Sequence, residues 1–512
     1  MPSQSLVVCT TLSFFALFCL VLDKALLSNG IDVPDMSQYR QLQAMTREEF
    51  PIGGRGLSFM KRLSHLLLDD PSRRMIIVGD IHGQFDHLQL VFRPIGFQTS
   101  AYLFRRTLLK RLSYDNTTDT LVHLGDIITK GPHSLDVLSY LSSNGILGVR
   151  GNHDQEVLER RSWINWITSL NGGDVFLETA ELEWKNAKES GEKLKAWNKR
   201  QRQRASKAFG KGDDNTMDRN TAKWWRRVPE DWVLFNDVHH LANEMAATDY
   251  EYLLSLPLKI YVPHAHLFLV HAGMVSHDPN YDFDDPIQPL MTAPHTSRLF
   301  GSALRSGRLS GFNRAVDPLT GWLARLLFFN KRTWNEEERQ VFASIDDSTQ
   351  DATRGKQERA ILDLALNNDP WVTLNLRGVK NDGTPTRSNK KGKPWAEIWN
   401  KDMDRCRGFG DNDDVDSADS VSSKKGRVLP CLPMSVVYGH CAGRGLDIKR
   451  WTFGLDTGCV TGKRLTALVV GGFHDLGNST ETETHVDDYR VDEIVPFGDE
   501  SRAHIASVRC KA

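Results

Sequence analysis

Short apolar runs that precede a glycine turn recur three times early in the chain. MIIV at residues 75–78, LVHL at 121–124 and ILGV at 146–149 are each followed within two residues by a glycine. Runs of this length beside a turn residue are typical of buried strands. Amphipathic segments at 85–92 and 134–141 follow the first two runs and predict helices. This alternation of strand and helix predicts an α/β fold.

Two polar stretches lie between the predicted strands and are interpreted as insertions in a domain that spans residues 31–512. One is a basic insertion near 181–230, within which residues 185–211 hold ten Lys or Arg against two Glu. Most such charge runs are solvated helix faces, but binding of anionic lipid or steering of a polyanionic substrate are alternatives. The other, near 380–428, is rich in Lys, Asp and Ser and is predicted to be disordered.

Trp395 and Trp399 stand out inside the second insertion because they are four residues apart. A short helix would place both indole rings on one face. We interpret the pair as core or interface packing.

The N-terminus carries an uncharged apolar run of 17 residues, 6–22, which is near the roughly 17–25 residues that a membrane-spanning helix needs. No basic residue precedes this run and no small-x-small cleavage site follows it, so an anchor is favoured over a cleaved signal peptide, and a core helix comes third. We therefore expect residues 1–30 to be a single-pass membrane anchor with a short flank. Sequons at Asn116 and Asn478 would suit a glycoprotein with a lumenal domain.

The overall composition excludes some classes of protein. The chain of 512 residues is 25% charged and 40% hydrophobic with a net charge of −1, so bulk charge does not make it a nucleic-acid binder. Its seven cysteines are scattered and form no CxxC pair, which argues against a disulfide framework and against a thiolate zinc site.

Polar side chains suited to metal binding follow the predicted strands. Asp80 and His82 lie in GDIHG, Asp126 follows the second run, and Asn152 and His153 lie in RGNHD. Because loops at the carboxyl ends of parallel strands meet at one edge of a sheet, these side chains should lie close together. Their oxygen and imidazole donors suit zinc, manganese or iron.

Two further histidines have the same context. His271 in VHAGM and His440 in YGH each follow an apolar run and precede a glycine, so they are stronger ligand candidates than histidines on helix faces.

In this order, GDIHG, GDxxxxG, RGNHD, VHAGM and YGH resemble the motifs of the calcineurin-like metallophosphoesterases in the phosphoprotein-phosphatase superfamily. The segment 454–468 is also similar to bacterial symmetrical diadenosine-tetraphosphatases. The whole pattern, with GDIITKGP at 125–132 and PWAEIWN at 394–400, is most similar to the zinc-dependent fungal vacuolar endopolyphosphatases. The resemblance implies a two-sheet β-sandwich flanked by helices, with ligands on loops at one edge.

The resemblance also implies a catalytic centre with two divalent metal ions, zinc being favoured over manganese or cobalt. One ion would take Asp80, His82 and Asp126, and the other would share Asp126 with a second set of ligands, Asn152, His271 and His440. Two ions held in this way activate a water for attack on phosphorus. His153 matches the general acid of the family.

Three positions depart from the family pattern. Thr129 replaces an aspartate that accepts a hydrogen bond from the catalytic histidine, and the threonine is expected to bond the ring without bringing a negative charge. Asp154, adjacent to His153, is a candidate to compensate for the lost charge. Lys130 replaces an arginine that binds phosphate, and a lysine tolerates more varied phosphate poses. Arg377 is a candidate for the second phosphate-contacting arginine, with a surface arginine as the alternative.

The sequence thus predicts a metal-dependent endopolyphosphatase, anchored in the membrane with its domain in the vacuole lumen, that cuts internal phosphoanhydride bonds of polyphosphate. A diadenosine-tetraphosphatase or a serine/threonine protein phosphatase on the same fold is the nearest alternative. A catalytically silent membrane-tethered binding protein is a hypothesis of a different class, and it is disfavoured because every predicted ligand is present. Nucleic acid is not an expected partner.

Overall fold

The computed structural model describes residues 60–63, 73–88, 107–208, 217–291, 350–409, 428–471 and 492–510. All of them lie in one of the two compact units into which the chain divides, residues 49–512. The strands of the described residues are, in chain order, β1 (Lys61–Arg62), β2 (Arg74–Val78), β3 (Asp119–His123), β4 (Leu147–Gly148), β5 (Lys259–Val262), β6 (Leu267–Val270), β7 (Gly378–Val379), β8 (Pro385–Thr386), β9 (Lys393–Pro394), β10 (Ser435–Tyr438), β11 (Asp447–Ile448), β12 (Thr452–Gly454), β13 (Arg464–Gly471), β14 (Asp492–Phe497) and β15 (Ser501–Arg509).

The α-helices lie mainly between β2 and β5 and in the segment before β10. They are, in chain order, α1 (Phe85–Leu88), α2 (Leu108–Arg111), α3 (Ser134–Ser143), α4 (Asn152–Ser169), α5 (Gly173–Glu189), α6 (Leu194–Lys207), α7 (Arg219–Trp225), α8 (Asp237–Glu244), α9 (Ala247–Ser255), α10 (Gln350–Leu362), α11 (Pro370–Asn375) and α12 (Trp395–Met403).

Two six-stranded mixed sheets form the centre of the fold. One has the order β14-β15-β13-β2-β3-β4 and the other β1-β5-β6-β10-β12-β11. Strands β2, β3 and β4 run parallel in the first sheet, and β6, β10 and β12 run parallel in the second. A small third sheet has the order β8-β7-β9.

The alternation of side chains along each strand explains how the layers pack. In β2, Met75 and Ile77 belong to the apolar core between the two large sheets, which also contains Leu269 and Val437 of the opposite sheet. The other face of β2 packs into a separate core formed with the helices. Successive strand residues point to opposite faces, so both faces of each sheet are covered. The predicted two-sheet sandwich flanked by helices is confirmed.

The single-pass membrane protein predicted from the N-terminal run is not supported. Across the described ranges, no helix combines the length and apolarity needed to cross a bilayer. The localisation inferred from that anchor, in the vacuole lumen, is therefore wrong on this finding. Residues 6–22 themselves lie outside the described residues.

The prediction of a disordered insertion near 380–428 needs correction in its first part. Strands β8 and β9 and helix α12 all form within it. Trp395 and Trp399, both on α12, are 1% and 0% exposed, which confirms their interpretation as core residues. Helix α12 folds because burial of its two large apolar side chains is favourable, which the local polar composition does not reveal. Residues 410–427 lie outside the described residues.

Cysteines also behave differently from the prediction. Cys406 pairs with Cys431 and Cys459 pairs with Cys510 in disulfides, while Cys441 is a buried free thiol. The two disulfides join residues 25 and 51 positions apart, so spacing along the chain carried no signal of them.

The basic insertion folds into helices around an aromatic core. Trp197 of α6 is fully buried, and its ring centroid lies 5.5 Å from that of Trp225. Several of its charges are paired locally: Arg200 lies 2.6 Å from Glu192 and Lys185 lies 3.1 Å from Glu181. These helices therefore present a partly neutralised polar face.

Stability should fall in acid partly because of His239, a buried residue of α8. Burial, together with the charge of Arg160, lowers the pKa of His239 to about 3. In the unfolded chain the pKa is about 6.5, so between these values the unfolded state binds a proton that the folded state does not, and stability is lost as pH falls below 6.5. At pH 5 the cost is about 2 kcal/mol.

A phenylalanine at this position would remove that cost, and the ring of His239 already lies 5.0 Å from that of Phe235. Urea unfolding of the wild type and of His239→Phe at pH 7 and pH 5 checks this. The loss of unfolding free energy between the two pH values should be smaller in the variant by about 2 kcal/mol. An unchanged pH dependence would contradict the assignment.

Candidate metal centre

The predicted ligands follow the carboxyl ends of parallel strands in both large sheets. Asp80 follows β2 and Asp126 follows β3, while His271 and His440 follow β6 and β10 of the facing sheet. Asn152 is the first residue of α4, which begins just after β4. Because these strands end at the same edge of the sandwich, five loops from both sheets meet there.

Asp80, His82 and Asp126 form the first group of ligand atoms. Their nearest donor atoms all lie within 4.8 Å of one another, and all three residues are buried. His82 Nε2 lies 3.5 Å from Asp126 Oδ2 and 3.9 Å from Asp80 Oδ2. His82 Nδ1 donates to the carbonyl oxygen of Ile128 at 3.2 Å, so Nε2 carries the lone pair that faces the carboxylates.

Asp126 also belongs to a second group, with His271 and His440, whose ligand atoms again lie within 4.8 Å of one another. His271 Nδ1 donates to Leu124 O at 2.8 Å, which leaves Nε2 as an acceptor. That Nε2 lies 3.4 Å from Asp126 Oδ1 and 3.1 Å from Asn152 Oδ1. Asp126 thus belongs to both groups of possible ligand atoms, and its role as a shared metal ligand stays a prediction.

The chemistry of these donors fits a cation. The lone pair of His271 Nε2 faces two oxygen acceptors, an arrangement that is repulsive unless a positive charge lies among them. His440 Nε2 is buried and has no hydrogen-bond partner among the described residues. Burial lowers the pKa of His82 to about 4, so its ring is neutral at pH 7, as a metal ligand must be.

The carboxylates carry charge that the protein only partly offsets. Burial raises the pKa of Asp80, and the nearby Asp456 and Asp126 carboxylates raise it further. Burial alone would also raise the pKa of Asp126, but the surrounding histidines, first His271, hold it below its ordinary value. A divalent cation would relieve the repulsion between these acidic groups.

The loops that carry the ligands hold unusual backbone conformations. Positive φ angles occur at His82 (48°), Asp126 (49°), Thr129 (72°), Lys130 (65°) and His440 (68°). Such conformations cost on the order of 1–3 kcal/mol each for residues other than glycine and persist where the surroundings fix them, typically at functional sites. The chain therefore stores strain where the ligands converge.

Gly151, the glycine of RGNHD, lies directly against Asp126. A Cβ at this position would lie 2.2 Å from Asp126 Oδ1 and 2.1 Å from the Asp126 backbone nitrogen. Only a residue without a side chain lets the third loop approach the shared carboxylate so closely.

His153 lies beside the shared carboxylate, as predicted, but its partners differ from those predicted. Its backbone N–H donates to Asp126 Oδ1 at 2.9 Å, and its Nε2 lies 4.0 Å from Asp126 Oδ2. Thr129 Oγ1, expected to bond the ring, is buried and has no hydrogen-bond partner in the described part of the chain. The carboxylate nearest to Nδ1 is that of Glu156, at 3.9 Å. Glu156 is three residues further along α4, a helical spacing that sequence reasoning had available and missed.

Asp154 does not compensate for Thr129 either. Its two oxygens accept hydrogen bonds from the backbone N–H groups of Gly151 at 2.9 Å and Ile127 at 3.0 Å. Asp154 thereby caps α4 and ties the RGNHD loop to the Asp126 loop. Burial and the charge of Asp126 raise its pKa to about 7. It is a positioning residue, whereas the sequence suggested a partner for His153.

The two candidate phosphate-binding residues have different surroundings. Lys130 is exposed, and its Nζ donates to His82 Nε2 at 3.1 Å, which places its charge at the first ligand group. Arg377 reaches the loop of the second group, where Nη2 donates to the carbonyl oxygen of His440 at 3.1 Å and Nη1 to that of Arg387 at 3.2 Å. Phosphate binding by either residue stays a prediction.

Comparison with known proteins fits this geometry. Residues 73–268 match the model of the family described as calcineurin-like phosphoesterase. This part of the chain is similar to that family. The matched range includes the predicted ligands that follow strands of the first sheet. The motif around His271 comes directly after this range, and the motif around His440 comes later in the chain.

Curated relatives of this chain include two bacterial protein phosphatases. Serine/threonine-protein phosphatase 1 of Salmonella typhimurium is 37% identical over 111 residues, which cover 21% of this chain and 44% of that protein. Serine/threonine-protein phosphatase 2 of Escherichia coli is 33% identical over 118 residues, or 22% and 45% of the two chains. A symmetrical bis(5'-nucleosyl)-tetraphosphatase of Hamiltonella defensa is 37% identical over 84 residues, or 16% and 24%. Each match spans less than half of the relative's own length.

One acidic residue of this candidate metal centre was not assigned from the sequence. Asp456 follows β12, is buried, and shares a hydrogen bond with the Asp80 carboxyl group. Its Oδ1 also accepts from the backbone N–H of Gly458 at 3.1 Å. The signal was an aspartate just after the short run TFGL at 452–455, a context similar to that of Asp80 and Asp126.

Proposed function

We propose that this protein is a metal-dependent phosphohydrolase that cuts internal phosphoanhydride bonds of inorganic polyphosphate. The observation that carries the proposal is the pair of ligand groups sharing Asp126, whose Asp and His residues are all buried and offer oxygen and imidazole nitrogen donors. Asp80, His82 and Asp126 would hold one divalent ion, and Asp126, Asn152, His271 and His440 the other. When bound, such ions activate water and neutralise charge on phosphate oxygens.

The chain's own residues would then position the substrate and supply a proton. His153, at the shared carboxylate and 25% exposed at its side chain, is placed to donate a proton to the leaving oxygen. Burial lowers its pKa, and the nearby charge of Lys130 lowers it further, against the opposing effects of Asp126 and Glu156. A lowered pKa makes the protonated ring a stronger acid and reduces the fraction of His153 that carries the proton at neutral pH, so activity should rise as the pH falls toward that pKa.

Support for polyphosphate as the substrate comes from the resemblance of the whole motif pattern and from Lys130. A lysine is a compact point charge on a flexible stem, so it can follow successive phosphates of a chain better than the bidentate fork of an arginine. Dinucleoside tetraphosphates and phosphoproteins, the substrates in the names of the relatives, are the competing candidates.

The test uses the purified full chain loaded with zinc, manganese or cobalt. Long-chain polyphosphate, diadenosine tetraphosphate and a phosphopeptide are assayed in parallel as substrates. We expect polyphosphate to shorten through intermediate lengths, as seen on gels, before monophosphate accumulates. Release of monophosphate alone would indicate cleavage from chain ends. Faster turnover of the dinucleotide or the phosphopeptide would reject polyphosphate as the substrate.

A further inference from the structure

The third sheet carries an excess of positive charge. Its strands β7, β8 and β9 and their loops span residues 377–393, which hold six basic residues against the single acidic Asp382: Arg377, Lys380, Arg387, Lys390, Lys391 and Lys393. A local charge of +5 over so short a segment contrasts with the net −1 of the whole chain. Charge of one sign concentrated on one surface attracts ligands of the opposite sign.

The basic side chains of this sheet face solvent. Arg387, Lys390, Lys391 and Lys393 are all exposed, and none takes part in an ion pair with another described residue. The helical insertion differs, because Glu181 and Glu192 pair with its basic residues. The third sheet is therefore the less neutralised of the two basic surfaces.

Hydrogen bonds fix the backbone that carries these charges. Val379 pairs with Lys393 across β7 and β9, and the N–H of Lys390 donates to Ser388 Oγ at 3.2 Å. The backbone that carries the charges is thus ordered before any ligand arrives, so binding costs entropy only in the side chains.

The sheet adjoins the candidate metal centre. Arg377, which begins this segment, donates to the carbonyl oxygens of both His440 and Arg387. Arg444 of the His440 loop donates in turn to Arg377 O at 2.7 Å. Asn389 packs against Gly443, where an added Cβ would lie 3.1 Å from Asn389 Nδ2. The basic loop and the loop of a predicted ligand are therefore held against each other.

We infer that the third sheet is a subsite that binds the part of a polyphosphate chain that extends beyond the bond being cut. This inference rests on the proposed function, because it supposes that the chain enters the centre around Asp126. Unpaired lysines are point charges that impose no fixed hydrogen-bonding geometry on a ligand. Their surface therefore suits a uniform linear polyanion whose repeat is a charged phosphate. Such a subsite favours long chains over short ones, since only a long chain reaches both surfaces.

Binding of long-chain polyphosphate to the full chain, measured by fluorescence anisotropy in EDTA, tests this subsite without any cleavage. The key variant is Lys390→Gln with Lys391→Gln and Lys393→Gln. A matched control removes three exposed lysines of the helical insertion, with Lys188→Gln, Lys195→Gln and Lys199→Gln. A second control keeps the charge of the sheet, with arginine at positions 390, 391 and 393.

We expect the sheet variant to raise Kd about 5- to 10-fold at roughly 50 mM salt and much less at about 0.5 M, because counterion release and screening weaken the effect of each charge. The helix control and the arginine variant should stay within about 2-fold of the wild type. Equal Kd values for the sheet variant and the wild type would overturn the subsite, as would equal losses in the sheet and helix variants. Loss in the arginine variant would show a structural effect instead.

One further outcome assigns the surface to another ligand. If single-stranded RNA binds more tightly than polyphosphate and loses that affinity in the sheet variant, the surface is a nucleic-acid site and the inference is wrong. Because binding is read in EDTA and product lengths are read with metal, failure of this inference is distinguishable from failure of the proposed function.

Discussion

Asp126→Asn is expected to lower kcat/KM by about 10³-fold or more, because it weakens both ligand groups and several kcal/mol of charge stabilisation depend on them. An asparagine has the same shape but offers one oxygen and no negative charge. The assay uses p-nitrophenyl phosphate, a small substrate whose hydrolysis does not depend on the proposal of polyphosphate. Metal content of the same samples, measured by mass spectrometry, should fall from two ions per chain to one or none.

The matched control for this variant is Asp218→Asn. Asp218 caps α7 at the surface through hydrogen bonds from Asn220 and Thr221, and asparagine serves equally well as a helix cap. Its activity and metal content should equal those of the wild type. Loss of activity in Asp126→Asn with both ions retained would show that Asp126 is not the shared ligand.

His153→Gln should lower kcat by about 10²- to 10⁴-fold, the range typical of a lost general acid, while metal content stays at the wild-type value. The reason is that the His153 side chain lies beside Asp126 but belongs to neither group of ligand atoms. His240→Gln, at an exposed position of α8, is the control and should be silent. Parallel loss of metal and activity in His153→Gln would show that His153 is a metal ligand and would contradict its role as the general acid.

The candidate ligands could be predicted because each follows an apolar run that ends at a turn. This pattern can be read from neighbouring residues alone. The two sheets of the sandwich then bring Asp80, Asp126, His271 and His440 to one edge. Asp456 has the same context, so it was within reach and simply not assigned.

The contacts of individual side chains were harder to predict. Thr129 and Asp154 were both expected to support His153, yet Asp154 bonds backbone N–H groups and Thr129 Oγ1 faces no partner among the described residues. Adjacency in sequence did not decide the outcome, because α4 begins at Asn152 and its first turn sets where each side chain points.

Features that depend on distant segments were predicted least well. The third sheet looked disordered from its composition, but Trp395 packs against Gly273 and lies 4.8 Å, ring to ring, from Tyr438. Those contacts hold α12 against the loop that carries His271 and against the end of β10, the strand before His440. The disulfide between Cys459 and Cys510 likewise joins residues 51 positions apart. Tertiary packing supplies this information, and local propensity does not contain it.

Reconstitution of the metal-free wild type decides whether hydrolysis requires two metal ions at Asp126. The full chain is stripped with EDTA and titrated with zinc or manganese, while bound metal and hydrolysis of p-nitrophenyl phosphate are followed in the same samples. We predict no activity without metal, two ions bound per chain at saturation, and full activity only when the second ion is bound. Undiminished hydrolysis by the metal-free chain, or saturation at a single ion, would contradict the shared centre at Asp126.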